Sequence, residues 1–160
     1  MDTESSDNRT GSQRILEAAI NLFGRNGVKG TSMRAIAEEA GVSQALVVHH
    51  FGSKDGLQRA CDHHVAGVVR ANKQTAMANG PQLDPFHTLR QLERSQPLLR
   101  YLARALTEGG EHTADLVDEF VADAEDYMRQ GEEAGFLKPS ETPRERTITL
   151  VIWSMGALAM

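Results

Sequence analysis

The 160-residue sequence predicts an all-α protein. Apolar residues return every three or four positions along most of the chain, the period of one helix face, and no segment shows the strict alternation of a half-buried strand. Glycines and prolines fall between these amphipathic runs, where they end one helix and let the next begin. No internal repeat is present.

Each element follows from the same signals. Residues 13–26 carry Ile15, Leu16, Ala19, Leu22 and Phe23 on one face, with Ser12 placed as N-cap and Gly27 and Gly30 beyond the end. A second helix runs from a cap at Thr31 or Ser32 to Ala40, its inward face being Met33, Ile36, Ala37 and Ala40. Gly41 stops it, since glycine takes the left-handed C-terminal conformation without a Cβ clash. Two or three residues later Ser43 caps a third helix reaching about Phe51, with Val42 and Val47 placed to pack on Ile36 and Ala40. Gly52 closes it. Ser53 then caps a long fourth helix, about Lys54 to Ala78, with Leu57, Ala60, Cys61, His64, Val65, Val68 and Val69 on its apolar side.

The run "NGPQLDP" breaks the chain. Beyond it we expect short helices at 86–94 and 97–107, the second opening on a proline, which a first turn tolerates. A longer helix at 113–134 follows, with Leu116, Val117, Phe120, Val121, Ala124, Tyr127 and Met128 on one stripe. "GFLKPSETP" reads as a loop, and a last helix starts near Pro143. From Ile148 that helix is apolar nearly all round, so something must cover it. The pattern reaches Met160 without a stop signal, and we expect the chain to be a fragment whose C-terminal bundle is incomplete.

Bulk properties narrow the class. Cys61 is the single cysteine, which rules out an internal disulfide and suits a reducing, cytoplasmic setting. The first twelve residues, "MDTESSDNRTGS", are polar and partly acidic, unlike a secretory signal, and read as a disordered arm. The longest apolar stretch, "ITLVIWSMGALAM", is shorter than the ~20 residues that span a bilayer, so no membrane partner is expected. Net charge is −5 but uneven: residues 8–56 hold six bases and four acids, whereas residues 107–160 hold four bases and twelve acids. The N-terminal part is therefore the one free to approach phosphates.

Two short helices around a tight glycine turn form the pattern of a helix-turn-helix. Ala37 is small enough for a close crossing, Gly41 makes the turn four residues on, and Val47 packs back into the angle. The third helix, residues 43–51, spans ~13 Å, comparable to the ~12 Å width of a major groove. The adjacent His49 and His50 point about 100° apart, so they do not share one ion, and the zinc spacing of two histidines four apart is absent. Phe51 reads as core.

The run "ILEAAINLFGRNGVKGTSMRAIAEEAGVSQALVVHHFGSKDGL" resembles the DNA-binding region of TetR-family (tetracycline-repressor-like) transcriptional regulators. The likeness rests on "ILEAAINLFGRNG", "GTSMRAIAEEAGVS" and "HHFGSKDGL", which cover a quarter of the chain. It implies a helix-turn-helix head at residues 13–56 and a helical ligand-binding and dimerisation domain at 57–160. It places Ser43, Gln44 and Ala45 at the reading end of the third helix, with His49 and His50 near bases or phosphates. Thr31 and Ser32 would donate hydrogen bonds to one phosphate and Lys54 would pair with another. Val48 stands where the family usually has a tyrosine that contacts the backbone, a departure that would cost one phosphate contact and either weaken binding or favour an operator where contact with a thymine methyl counts.

The resemblance further implies a homodimer on a palindromic double-stranded DNA operator, acting as a repressor that a small apolar effector releases. Residues expected around the effector are His64, Val68, Phe86 and Leu89, then Leu99, Leu102, Phe120, Tyr127 and Trp153, all of which ordinary core packing would also explain. Trp153 and Met155 also put the last helix at the dimer interface. No cofactor, metal or catalytic residue is expected. Cys61 and His64 form at most half a metal site, nothing resembles a nucleophile elbow or phosphate loop, and the acidic run at 115–133 reads as a solvated face. The acidic balance and Val48 leave open an alternative, a helical ligand-sequestering or protein-interaction module without specific DNA binding.

Overall fold

The computed structural model describes the backbone of residues 10–79, 85–109 and 111–159 and the side chains of 10–75, 95–109 and 112–156. Among the described residues the chain forms α1 (Gly11–Asn26), α2 (Met33–Ala40), α3 (Gln44–Phe51), α4 (Lys54–Asn79), α5 (Pro85–Glu108), α6 (Glu111–Glu133) and α7 (Pro143–Ala159), with no strand. Helices α1 to α3 make a head and α4 leads away from it; in the body α6 packs on α4 and α7 on α5 and α6, while α5 also packs on α1 of the head.

The start of α1 differs from expectation. Thr10, not Ser12, is the N-cap: its hydroxyl accepts from Gln13 N at 3.3 Å while Gln13 Oε1 accepts from Thr10 N at 3.0 Å. This reciprocal box needs a glutamine or glutamate three residues after the cap. Ser12 has Ile15 there instead. Residues 10–12 therefore belong to the start of the helix, and the rest of the expected arm lies outside the described residues.

Helix α5 is the second correction, since it continues through Pro97 where two short helices were expected. An internal proline removes one hydrogen bond and costs ~3 kcal/mol or more. The turns after it carry Leu98, Tyr101, Leu102 and Ala105 into the core, and that burial outweighs the local penalty.

One apolar cluster links head and body, from Ile15 and Phe23 through Ile36, Val47, Leu57, Cys61 and Val65 to Tyr101, Leu102 and Leu116. Tyr101 is its keystone. Its ring lies 6.5 Å from that of Phe23, and its hydroxyl donates to Asp62 Oδ1 at 2.6 Å. Beside it α1 and α5 meet closely at Gly24, where an added Cβ would stand 3.0 Å from Tyr101 N.

Burial pushes the Asp62 carboxyl above the ordinary carboxylate range, an effect that the Tyr101 hydrogen bond opposes. A carboxyl raised in this way binds its proton more tightly folded than unfolded, so its charge destabilises the fold above the folded pKa. Asp62→Asn keeps an acceptor for Tyr101 and carries no charge. It is expected to be more stable than the native chain at pH 7.5, the gap closing as pH falls and vanishing below about 3.9. Urea midpoints across that pH series check this, and a variant weakened equally at every pH would contradict it.

Helix α7 turns Thr147 and Val151 inward and leaves Leu150, Ile152 and Trp153 exposed, Trp153 by 78%. The all-round apolar character read from the sequence is thus half covered. Among the described residues no helix is long and apolar enough to cross a membrane.

Candidate nucleic-acid interface

The turn between α2 and α3 is set by Gly41, at φ 64° and ψ 39°. Its conformation lets Val42 N donate to Ala37 O at 3.0 Å and Gly41 N to Glu38 O at 3.2 Å, closing the last turn of α2. Ser43 then caps α3, its hydroxyl accepting from Leu46 N at 3.2 Å. Helix α3 is eight residues, about 12 Å long. Val47 is fully buried, and Leu46 and Phe51 pack on the same core.

What remains outside is the expected reading surface. Gln44, Ala45, Val48 and His49 are exposed and share a sector of about 140° on the helix. Val48 is 45% exposed. His50 is exposed too and lies between its neighbours, edge-on to His49 with ring centroids 5.6 Å apart and tilted against Phe51 at 6.1 Å. No group of three possible metal ligands occurs among the described residues.

The residues expected to face phosphates differ in what their side chains do. Ser32 caps α2 through Ala35 N at 3.1 Å, is exposed, and keeps its O–H as a donor. Thr31 is buried, and its hydroxyl donates to Gly27 O at 2.8 Å and Leu22 O at 3.3 Å. That hydroxyl is therefore not free for a phosphate; it satisfies carbonyls at the end of α1 that the fold removes from water. Lys54 Nζ donates to Val28 O at 2.9 Å and Thr31 O at 3.1 Å. An ammonium has three donors, so one remains after it has tied the α1–α2 turn to α4.

In the body, α4, α5, α6 and α7 enclose a mostly apolar cavity of about 330 Å³. Of the residues expected around an effector, Leu99, Leu102, Phe120 and Tyr127 line this cavity. Sequence reasoning missed Val69, Leu106 and Val151, and also the charged wall of Arg70, Lys73 and Asp123. A second structural tie joins body to head: His112 Nε2 in the first turn of α6 lies 2.6 Å from Asp55 Oδ1, next to Lys54.

Residues 15–61 match the sequence model of bacterial regulatory proteins of the tetR family, and residues 93–160 that of the tetracyclin repressor-like C-terminal domain. The HTH-type transcriptional regulatory protein RaaS of Mycobacterium tuberculosis is 43% identical over 151 residues, covering 94% of this chain and 71% of that protein. The chain belongs to the TetR family of transcriptional regulators. The HTH-type transcriptional regulator UidR of Escherichia coli is 42% identical over 60 residues, which cover 38% of this chain and 29% of UidR. In fold, the fatty acid degradation regulator FadR of Bacillus halodurans superposes with a TM-score of 0.72 at 15% identity, covering 96% of this chain and 85% of FadR.

For a TetR-family chain, the residues without a place in these surfaces are as informative as those with one. His64 is exposed on α4 and Trp153 on α7, and neither lines the cavity; Ser154 and Met155 do so beside Trp153. Val68 is half-buried and also lies outside the lining. The physical reason is rotation: one residue is 100° on a helix, so Val69, Arg70 and Lys73 present the face that His64 and Val68 were assigned. The side chains of Phe86 and Leu89 lie outside the described residues. Cys61 is buried while His64 is exposed, so the half metal site read from their spacing does not form, and burial pushes the Cys61 thiol up.

Proposed function

We propose that this TetR-family regulator is a repressor that leaves a palindromic operator when a small, mostly apolar molecule fills the body cavity. The observation that carries this reading is that α4 belongs to both sites. Its first residue, Lys54, is bonded to the α1–α2 turn of the head, and Val69 and Arg70, about 22 Å further along, wall the cavity. The His112 contact gives α6 a second hold on the first turn of α4. A ligand that favours one setting of α4 then changes the posture of the head and, by linkage, its affinity for DNA.

The exposed Leu150, Ile152 and Trp153 are the surface we assign to a homodimer, in which two α3 helices enter successive major grooves ~34 Å apart. Gln44, Ala45, Val48 and His49 would meet base edges there, with Ser32, Ser43, His50 and Lys54 nearer the phosphates. Thr31 would contribute through its backbone alone.

Selection of bound sequences from a random DNA pool tests the reading. An enriched palindrome, with affinity that falls as salt rises, supports it. A folded protein that enriches nothing shifts the case to the ligand-sequestering module. On the selected site, Gln44→Ala is expected to change preference at one base pair by ~1–3 kcal/mol, and Lys54→Ala to weaken all sequences alike. Identical behaviour of the two variants in a competition assay would remove the distinction between reader and anchor.

A further inference from the structure

The cavity between α4, α5, α6 and α7 is walled chiefly by apolar side chains, Leu99, Leu102, Leu106 and Phe120 among them, and its charged lining is Arg70 and Lys73 of α4 with Asp123 of α6. Three residues apart, Arg70 and Lys73 share one face of their helix. Arg70 Nη1 donates to Asp123 Oδ1 at 2.9 Å, and Asp123 Oδ2 is buried without a hydrogen-bond partner among the described residues. The carboxylate is thus engaged by Arg70 through one oxygen and shut in at the other. A guanidinium has five N–H donors, and this bond uses one of them.

Lys73 is not neutralised. It is exposed and has no ion pair among the described residues, so it stands at the solvent side of the cavity as an uncompensated cation. Tyr127 adds no negative charge, because burial and the Asp123 carboxylate push its phenol up and keep it an O–H. Two bases against one acid leave the lining with a net positive charge. That sign runs against its surroundings, since residues 107–160, which supply α6 and α7, hold four bases and twelve acids. A positive patch inside an acidic body disfavours a cationic ligand and gives an anionic one a place to settle.

Resting on the effector reading above, we infer that the cavity takes an amphiphilic monocarboxylate, its apolar chain against Leu99, Leu102 and Phe120 and its carboxylate held by Lys73 and the remaining donors of Arg70. A monoanion matches the net charge of the wall, and a planar carboxylate fits the guanidinium fork. At about 330 Å³ the space lies at the lower end of ligand cavities, which suits a short or medium chain.

Calorimetric titration of the full chain near neutral pH with octanoate, 1-octanol and octylamine tests this, the three sharing one chain length and differing in head group. In a cavity that offers apolar contact alone octanol would win, because a carboxylate gives up far more hydration on burial. Octanoate is instead expected to bind at least about tenfold more tightly than either of the others, the scale of a hydrogen bond to a charged group. Lys73→Gln removes an exposed, unpaired charge and spares the fold. In that variant the advantage over octanol is expected to fall at least about threefold, Arg70 alone remaining. Octanoate binding no tighter than octanol or octylamine, or an advantage unchanged in Lys73→Gln, overturns the inference and leaves the cavity as an effector site. Failure of all three probes to bind overturns the effector reading as well.

Discussion

Tyr101→Ala is expected to remove about 3 to 5 kcal/mol of folding stability, the range for deleting a large buried aromatic ring. The side chain is 2% exposed and is the largest of those fully buried among the described residues. Its loss opens a void against Phe23 and at the same time strips Asp62 of the hydroxyl at 2.6 Å that serves its carboxylate. Because a domain holds only ~5 to 15 kcal/mol in all, a loss of this size populates the unfolded chain visibly. Tyr101→Phe separates the two contributions: the ring stays, the hydroxyl goes, and about 1 to 3 kcal/mol is expected. Urea unfolding followed by far-ultraviolet circular dichroism measures both. An alanine variant no weaker than the phenylalanine variant would mean that the ring does not fill the space between α1, α4 and α5.

The second large effect is expected at Gly56, in the first turn of α4. A Cβ there would stand 2.3 Å from Phe51 O, a backbone atom that cannot rotate away. Gly56→Ala therefore has to move α3 relative to α4, at a cost of about 1 to 3 kcal/mol, and the displaced element is the one proposed to read DNA. Operator affinity is expected to drop at least as far as stability does. Gly67→Ala in the same helix is the contrast, since its Cβ would meet only the far end of Arg70 at 3.9 Å. There the better helix propensity of alanine is expected to stabilise by up to about 1 kcal/mol. If both alanines behaved alike in urea and in a DNA-binding titration, the close contact between the end of α3 and the start of α4 would not exist in solution.

The head was legible because its signals are local. Ser32, Ser43 and Ser53 each accept from a backbone N–H three residues on, at 3.1, 3.2 and 3.0 Å, and such a bond can be read from four adjacent letters. Thr31 and Ser32 looked equivalent for the opposite reason: what separates them is a pair of carbonyls at Leu22 and Gly27, which the turn brings to Thr31 alone. Pro97 misled because a helix-breaking rule is local and the burial that overrides it is tertiary. In the cavity, size and apolarity picked out Leu99, Leu102, Phe120 and Tyr127. Arg70 and Asp123 stayed hidden, since a pair 53 residues apart announces itself through packing and not through spacing.

Trp153 gives the molecule a built-in optical probe. It is the single tryptophan of the chain, it stands on α7 almost fully in water, and the two residues after it wall the cavity. Indole emission depends on how much water surrounds the ring, so one fluorophore in one place reports on α7 without any label. A shift to shorter wavelength follows when another surface covers that face, and a change confined to intensity or lifetime follows when only the neighbouring cavity fills. Association and ligand uptake thus leave separate marks in the same spectrum.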